Sequence, residues 1–156
     1  MLPRKGMRRL ELDVSYAARR PWAPRPRQLY RWADAALAPM RGCMGLSVRV
    51  VGTARSRSLN TRYRRKVKAT NVLSFAGAGR APDGRHHLGE LVICASVVAR
   101  EAAAAGKSLE SHWAHMMVHG VLHLLGFDHE LPAEAARMAV REIQILDRLG
   151  FSDPYC

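Results

Sequence analysis

Three histidines in the stretch His119-Gly120-Val121-Leu122-His123-Leu124-Leu125-Gly126-Phe127-Asp128-His129 constrain this chain more than any other feature of it. Residues four apart on a helix share one face at about 6 Å, so His119 and His123 can reach a single ion together. Gly126 is placed to end that helix, because glycine enters the left-handed conformation without steric cost. The chain can then turn and bring His129 back to the same ion. Three imidazoles leave the fourth tetrahedral position of a zinc ion open, which is the arrangement of a catalytic site. A lone histidine on an apolar helix face is usually a packed core residue. Three at ligand spacing, with a turn glycine between the second and third, call for a metal.

The pattern H-x-x-x-H-x-x-x-x-x-H, with glycine three after the second histidine, also has the spacing of the metzincin zinc site. One residue departs from that comparison. Zinc proteases place a glutamate directly after the first histidine as general base, and here the position is Gly120. Peptide hydrolysis by that route is disfavoured, whereas a bound metal alone can lower the pKa of water to about 7. Among the other histidines, His115 is expected to be packed or to support a ligand, and His112 to lie on the surface. His86 and His87 are expected to be solvated in a polar loop. Asp128 either orients an imidazole or caps the turn.

Charge narrows the partner. The chain of 156 residues carries a net charge of +12, unevenly spread. Residues 1–68 hold 18 basic and three acidic side chains, and residues 69–156 hold seven basic and ten acidic. A one-sided positive field captures polyanions, and arginine grips phosphate through two parallel bonds. Compositional bias toward arginine accounts for part of the count but not for the asymmetry. Nucleic acid is the favoured polyanion; an anionic membrane would call for a basic amphipathic helix, and none stands out. No run approaches the roughly 18 apolar residues of a membrane span. The opening MLPRKGMRRLELDV lacks the apolar stretch of a secretion signal, so a cytoplasmic location is expected. Cys43, Cys94 and Cys156 have no C-x-x-C spacing and read as buried or incidental thiols.

The length suits one domain with one core, and residues 1–156 are read as a single domain. Leu10, Leu12, Val14 and Tyr16 alternate with polar residues, the period of a half-buried strand. Residues 21–26 form a proline-rich loop, and Leu29, Trp32, Ala33, Ala36 and Leu37 then recur at helical spacing. Further strands are expected at 46–51, 71–75 and 88–94, with a short helix over 58–65 and a glycine-rich loop over 77–87. Helices are expected at 96–105, from Ser108 to Gly126 and over 132–149. Strands preceding most of the helices suggest one sheet of four strands with helices packed on it, the metal site on the central helix.

With these residues in view, the sequence resembles the bacterial YbeY family of ribosomal RNA maturation endoribonucleases. The resemblance rests on Leu59-Asn60 with Tyr63-Arg64 and Lys66, on TNVLSF at 70–75, on LGELVI at 88–93 and on HGVLHLLGFDH at 119–129. The ending Leu149-Gly150-Phe151 with Asp153-Pro154-Tyr155 is similar too. The resemblance covers nearly the whole chain, from about Leu10 to Tyr155, with the quoted stretches lying between Leu59 and Tyr155, and the histidine stretch is the specific one. The resemblance implies a single α+β domain with a small mixed four-stranded sheet, one zinc ion held by His119, His123 and His129, and single-stranded RNA as substrate. It also implies action on the small ribosomal subunit, including the 3′ end of its 16S ribosomal RNA, and a part in ribosome quality control. Arg64 matches the family's functional arginine. Val67 stands where the family usually has an acidic residue, and Ala69 where a proline is common.

On this reading Arg64 stabilises charge on the scissile phosphate, while zinc activates water or assists the leaving oxygen. Whether water or the RNA 2′-hydroxyl attacks stays open. Glu90 is either a proton shuttle or a structural carboxylate. Trp22 and Tyr30 can stack on bases, and Trp32 belongs to the core. The alternative class is a metal-stabilised RNA-binding or ribosome-assembly factor with little cleavage of its own.

Overall fold

The computed structural model describes residues 8–18, 20–64 and 70–156. The first strand, β1 (Arg8–Tyr16), keeps the alternation read from the sequence. Leu10, Leu12, Val14 and Tyr16 turn inward, while Arg9, Glu11, Asp13 and Ser15 are exposed. A helix, α1 (Pro26–Ala36), then carries the chain back so that β2 (Gly42–Val51) lies parallel to β1. Parallel neighbours need such a crossover. Pro26 sits in the first turn of α1, where its missing N–H costs nothing.

The next helix, α2 (Thr53–Arg64), is longer than the short helix expected over 58–65, and it begins at Thr53. Its inward face is Ser56, Leu59 and Asn60, so two of three buried positions are polar and the amphipathic signal is weak. Ser56 is held by reciprocal hydrogen bonds: its hydroxyl donates to the Thr70 carbonyl and accepts from the Thr70 N–H. Arg55, Arg57, Arg62 and Tyr63 are exposed. Arg65, Lys66, Val67 and Ala69 lie outside the described residues.

Strands β3 (Val72–Arg80) and β4 (His86–Cys94) form an antiparallel hairpin, and β4 runs parallel to β2. The sheet order is β1-β2-β4-β3, a mixed four-stranded sheet. The glycine-rich loop expected over 77–87 is thereby corrected. Most of it is strand, and the turn is confined to residues 81–85. The glycines serve a close approach of two backbones: a Cβ on Gly77 would lie 2.9 Å from the Gly89 nitrogen and closer still to the His87 carbonyl. His86 and His87 accordingly belong to β4, with His87 exposed.

Three helices follow: α3 (Ala95–Ala105), α4 (Leu109–Leu124) and α5 (Pro132–Arg148). Gly106 ends α3 at φ +65°, and the Ser108 side chain caps α4 by accepting from the Ser111 N–H at 3.1 Å. Nine residues of α4 are buried, because it lies between the sheet and the other helices. The larger core joins α1, α4 and α5 to one face of the sheet through Leu29, Trp32, Leu91, Met117, Leu122 and Ile145. A smaller cluster on the other face, including Leu59, Leu73, Val92 and Val97, seats α2 and α3. Cys94 is buried, Cys43 half-buried and Cys156 exposed, all as free thiols. Among the described residues, no helix is long and apolar enough to cross a membrane.

Candidate metal centre

The end of α4 is built as the spacing requires. His119 and His123 stand one turn apart with ring centroids 4.7 Å from each other. The Gly126 N–H then donates to the His123 carbonyl and the Phe127 N–H to the Leu122 carbonyl, each at 3.0 Å. These bonds close the helix, and Gly126 takes φ +99°. The turn returns His129 to centroid distances of 4.7 Å from His123 and 5.5 Å from His119. One ligand nitrogen from each ring lies within 4.8 Å of the other two, so the three can hold one metal ion. Asp128 accepts from the His129 N–H at 2.6 Å and the Glu130 N–H at 3.2 Å. Of its two readings, the geometry supports the turn cap.

The donor set suits a divalent metal chemically. Burial, and then the nearby His119 and His129, lower the pKa of His123 from 6.5 to about 4. A neutral imidazole is the form that donates a lone pair to a metal.

Behind the three histidines lies a group that the sequence reading missed. Glu142 of α5 is fully buried, and its Oε1 meets Nδ1 of His119 at 2.7 Å. Its Oε2 meets Nε2 of His115 at 2.6 Å and accepts from the Tyr155 hydroxyl at 2.5 Å. Burial alone would push this carboxyl up; the bonds from His115, His119 and Tyr155 outweigh it and hold the pKa at about 2. The tyrosine responds in the opposite sense, pushed well up by burial and by its bond to Glu142. A signal for Glu142 existed. It shares the buried face of α5 with Met138, Ile145 and Leu146, so a carboxylate occupies a core position of an amphipathic helix.

His115 is buried against Glu142, in the packed, supporting role expected of it. His112 departs from expectation. Its side chain is only 11% exposed and its Nε2 pairs with Glu101 at 3.0 Å, so it is no surface residue. Glu90 forms an ion pair with Arg49 at 3.1 Å and lines a separate concavity, which favours its structural reading. Trp32 is in the core, while Trp22 and Tyr30 are exposed and do not line the cleft of the histidines. Arg64 is the last residue of α2, and its side chain lies outside the described residues.

The histidines open into a cleft of about 930 Å³, walled by the start of the edge strand β3 and by the turn after α4. Tyr63, the neighbour of Arg64, stands on its rim with its ring edge-on to Phe75 at 5.0 Å. Gly120 points elsewhere. A Cβ there would lie 2.8 Å from Leu91 and 3.3 Å from Val72, so the position of the protease glutamate is pressed against the sheet.

Comparison with known proteins agrees with this architecture. The family model for the endoribonuclease YbeY matches residues 26–150. The endoribonuclease YbeY of Laribacter hongkongensis is 45% identical over 154 residues, covering 97% of this chain and 93% of its own. That of Stenotrophomonas maltophilia is 47% identical over 157 residues, covering 97% and 96%. A solution structure of a Thermotoga maritima protein superposes with a TM-score of 0.53 at 19% identity, covering 95% of this chain and 98% of that one, and shares the fold. Matched over almost its whole length by these relatives, this chain belongs to the YbeY endoribonuclease family.

Proposed function

We propose that this protein is a zinc-dependent endoribonuclease specific for single-stranded RNA. In this reading it trims the 3′ end of 16S ribosomal RNA, takes part in ribosome quality control and works on the small ribosomal subunit in the cytoplasm. The observation that carries the proposal is the convergence of His119, His123 and His129 in an open cleft beside the arginine-bearing helix α2.

His119, His123 and His129 would hold the ion, and the whole chain, residues 1–156, would act as one domain. A zinc ion in such a site supplies Lewis acidity at a phosphoryl oxygen or makes water a better nucleophile near neutral pH. The chain's own work is to bind and orient. The exposed guanidinium groups of Arg55, Arg57 and Arg62 attract the phosphate backbone. Arg64 follows Tyr63 at the cleft rim and is the group proposed to hold the scissile phosphate as charge develops on it. A peptide substrate fits less well, because position 120 packs on Leu91 and has no room for a catalytic carboxylate.

The test is metal content by elemental analysis, with cleavage of a single-stranded RNA measured before and after chelation. About one zinc per chain is expected, with cleavage lost on chelation and restored by zinc. Cleavage that survives full removal of the metal would refute the proposal. RNA binding without any cleavage by the zinc-loaded protein would favour the assembly-factor reading, which the basic face of α2 serves equally well.

A further inference from the structure

We propose that Glu142 and Tyr155 are positioning residues of the metal centre: Tyr155, through Glu142, fixes the ring of His119 and couples the docking of residues 151–156 to metal binding. The proposal rests on reading the three histidines as a zinc site.

The argument begins with cost. A carboxylate that is 1% exposed is tolerated only if its oxygens are fully engaged. Oε1 of Glu142 takes the Nδ1–H of His119, which fixes the tautomer and leaves Nε2 as the nitrogen free for a metal. Oε2 accepts from both His115 and the Tyr155 hydroxyl. The same three side chains His115, His119 and Glu142 offer ligand atoms close enough to suggest a second ion site. Their contacts of 2.6 and 2.7 Å argue against it. Ligands on one tetrahedral zinc, with bonds of about 2.0–2.1 Å, stand about 3.3 Å apart. These are hydrogen bonds, with the carboxylate already in place as the acceptor.

Tyr155 is itself held from several sides. Its N–H donates to Asp153 Oδ1 at 2.8 Å, and Lys107 Nζ donates to the neighbouring Pro154 carbonyl. The Phe151 N–H donates to the Leu146 carbonyl at 2.9 Å, and the Phe151 ring meets Trp32 edge-on at 6.2 Å. The Tyr155 ring also stands edge-on to His115 at 5.4 Å. The hydroxyl thus reaches Glu142 from a segment anchored on the core. If docking this segment favours the bound orientation of His119, metal binding must favour docking by the same factor.

The experiment uses the full chain, stripped of metal and reloaded, with Glu142→Gln, Tyr155→Phe and His123→Ala. Zinc affinity is read by competition with a chromophoric chelator, ligand geometry by the visible spectrum of the cobalt-substituted protein, and docking by amide hydrogen exchange over residues 151–156. Glu142→Gln should weaken zinc about 10–100-fold, and Tyr155→Phe by a smaller factor, about threefold to tenfold. Both should shift the cobalt spectrum, and zinc should slow exchange in 151–156 in the wild type but much less in either variant. Tyr155 is 56% exposed, so Tyr155→Phe keeps the fold even if Glu142→Gln does not. Wild-type affinity, spectrum and exchange in Tyr155→Phe, with metal lost from His123→Ala, would overturn the coupling alone. Metal retained in full by His123→Ala would instead overturn the three-histidine reading beneath it.

Discussion

Among the described residues, two of the concavities lie against the sheet, and both are lined by histidine and carboxylate side chains. The larger, about 930 Å³, has His119, His123 and His129 with Glu142 behind them. The smaller, about 600 Å³, lies on the sheet face that carries Glu11 and Asp13, and its lining includes His87 and Glu90 as well. In the smaller one two carboxylates form partly exposed ion pairs, Glu11 with Arg85 at 3.2 Å and Glu90 with Arg49 at 3.1 Å, and Asp13 is exposed. Such pairs contribute about 0–1 kcal/mol. In the larger one a single buried carboxylate takes three donors and leaves the imidazoles converging. Histidines and acids in a hollow do not make a site. Buried support that fixes the direction and tautomer of an imidazole does.

The comparison breaks most easily at the metal. His123→Ala should remove most bound zinc and the thermal stability that comes with it, because a ligand of the folded state stabilises that state. His87→Ala in the other hollow should leave zinc stoichiometry and Tm unchanged. Elemental analysis and melting with and without zinc decide the matter. Equal zinc loss in the two variants would erase the distinction drawn between the hollows.

The two regions also differed in how openly the sequence announced them. Local signals carried α4: Ser108 at its N-terminal cap, histidines four apart near its end and Gly126 at the turn all act within a few residues, and all are in place. The four strands of one sheet were legible too, from the alternation in β1 and the apolar runs of β2 and β4, while their mixed pairing followed from the family resemblance. What escaped depends on contacts distant in the chain. Gly77 reads as a loop residue until β4 is laid beside it, where its missing side chain admits the Gly89 backbone. Residues 53–57 look unpatterned because α2 buries Ser56 and Asn60, which are polar. His112 looks solvent-facing until Glu101 of α3 meets it, and Glu142 looks like a surface acid until His115, His119 and Tyr155 surround it.

A second, smaller effect sharpens the view of the larger cleft as a catalytic one. An arginine that only anchors RNA contributes equally to ground and transition states, so its loss raises KM and spares kcat. An arginine that stabilises charge developing on the phosphate lowers kcat even at saturating RNA. Lysine keeps the charge but loses the planar two-point grip. Arg64→Lys should therefore bind zinc and RNA nearly as the wild type does and cleave about 10²–10³ times more slowly. Single-turnover cleavage at saturating RNA makes the distinction. An unchanged kcat with a raised KM would reduce Arg64 to an anchor.

The smallest expected effect is on the acid stability of the metal-free protein, and its sign follows from the two perturbed groups of the larger cleft. His123 holds its proton with a pKa of about 4 in the fold against 6.5 for the ordinary residue. As pH falls below 6.5 the unfolded chain takes up a proton that the fold refuses, so stability present above that pH is lost on the way down to 4. Glu142, held at about 2 against 4.5, adds a second loss from 4.5 downward, again because the unfolded state binds the proton first. The melting temperature should therefore decline in two overlapping stages between pH 6.5 and pH 2, by about 2–4 °C for each kcal/mol lost. Each stage has its own variant. His123→Ala should flatten the upper one and leave the lower, while Glu142→Gln should flatten the lower one and leave the upper. Melting curves of stripped protein from pH 7.5 to pH 3 supply the measurement. A wild-type Tm that stays level between pH 6.5 and pH 4 would mean that burial does not hold His123 neutral, and the contrast between a buried hollow and a half-exposed one would lose its electrostatic half.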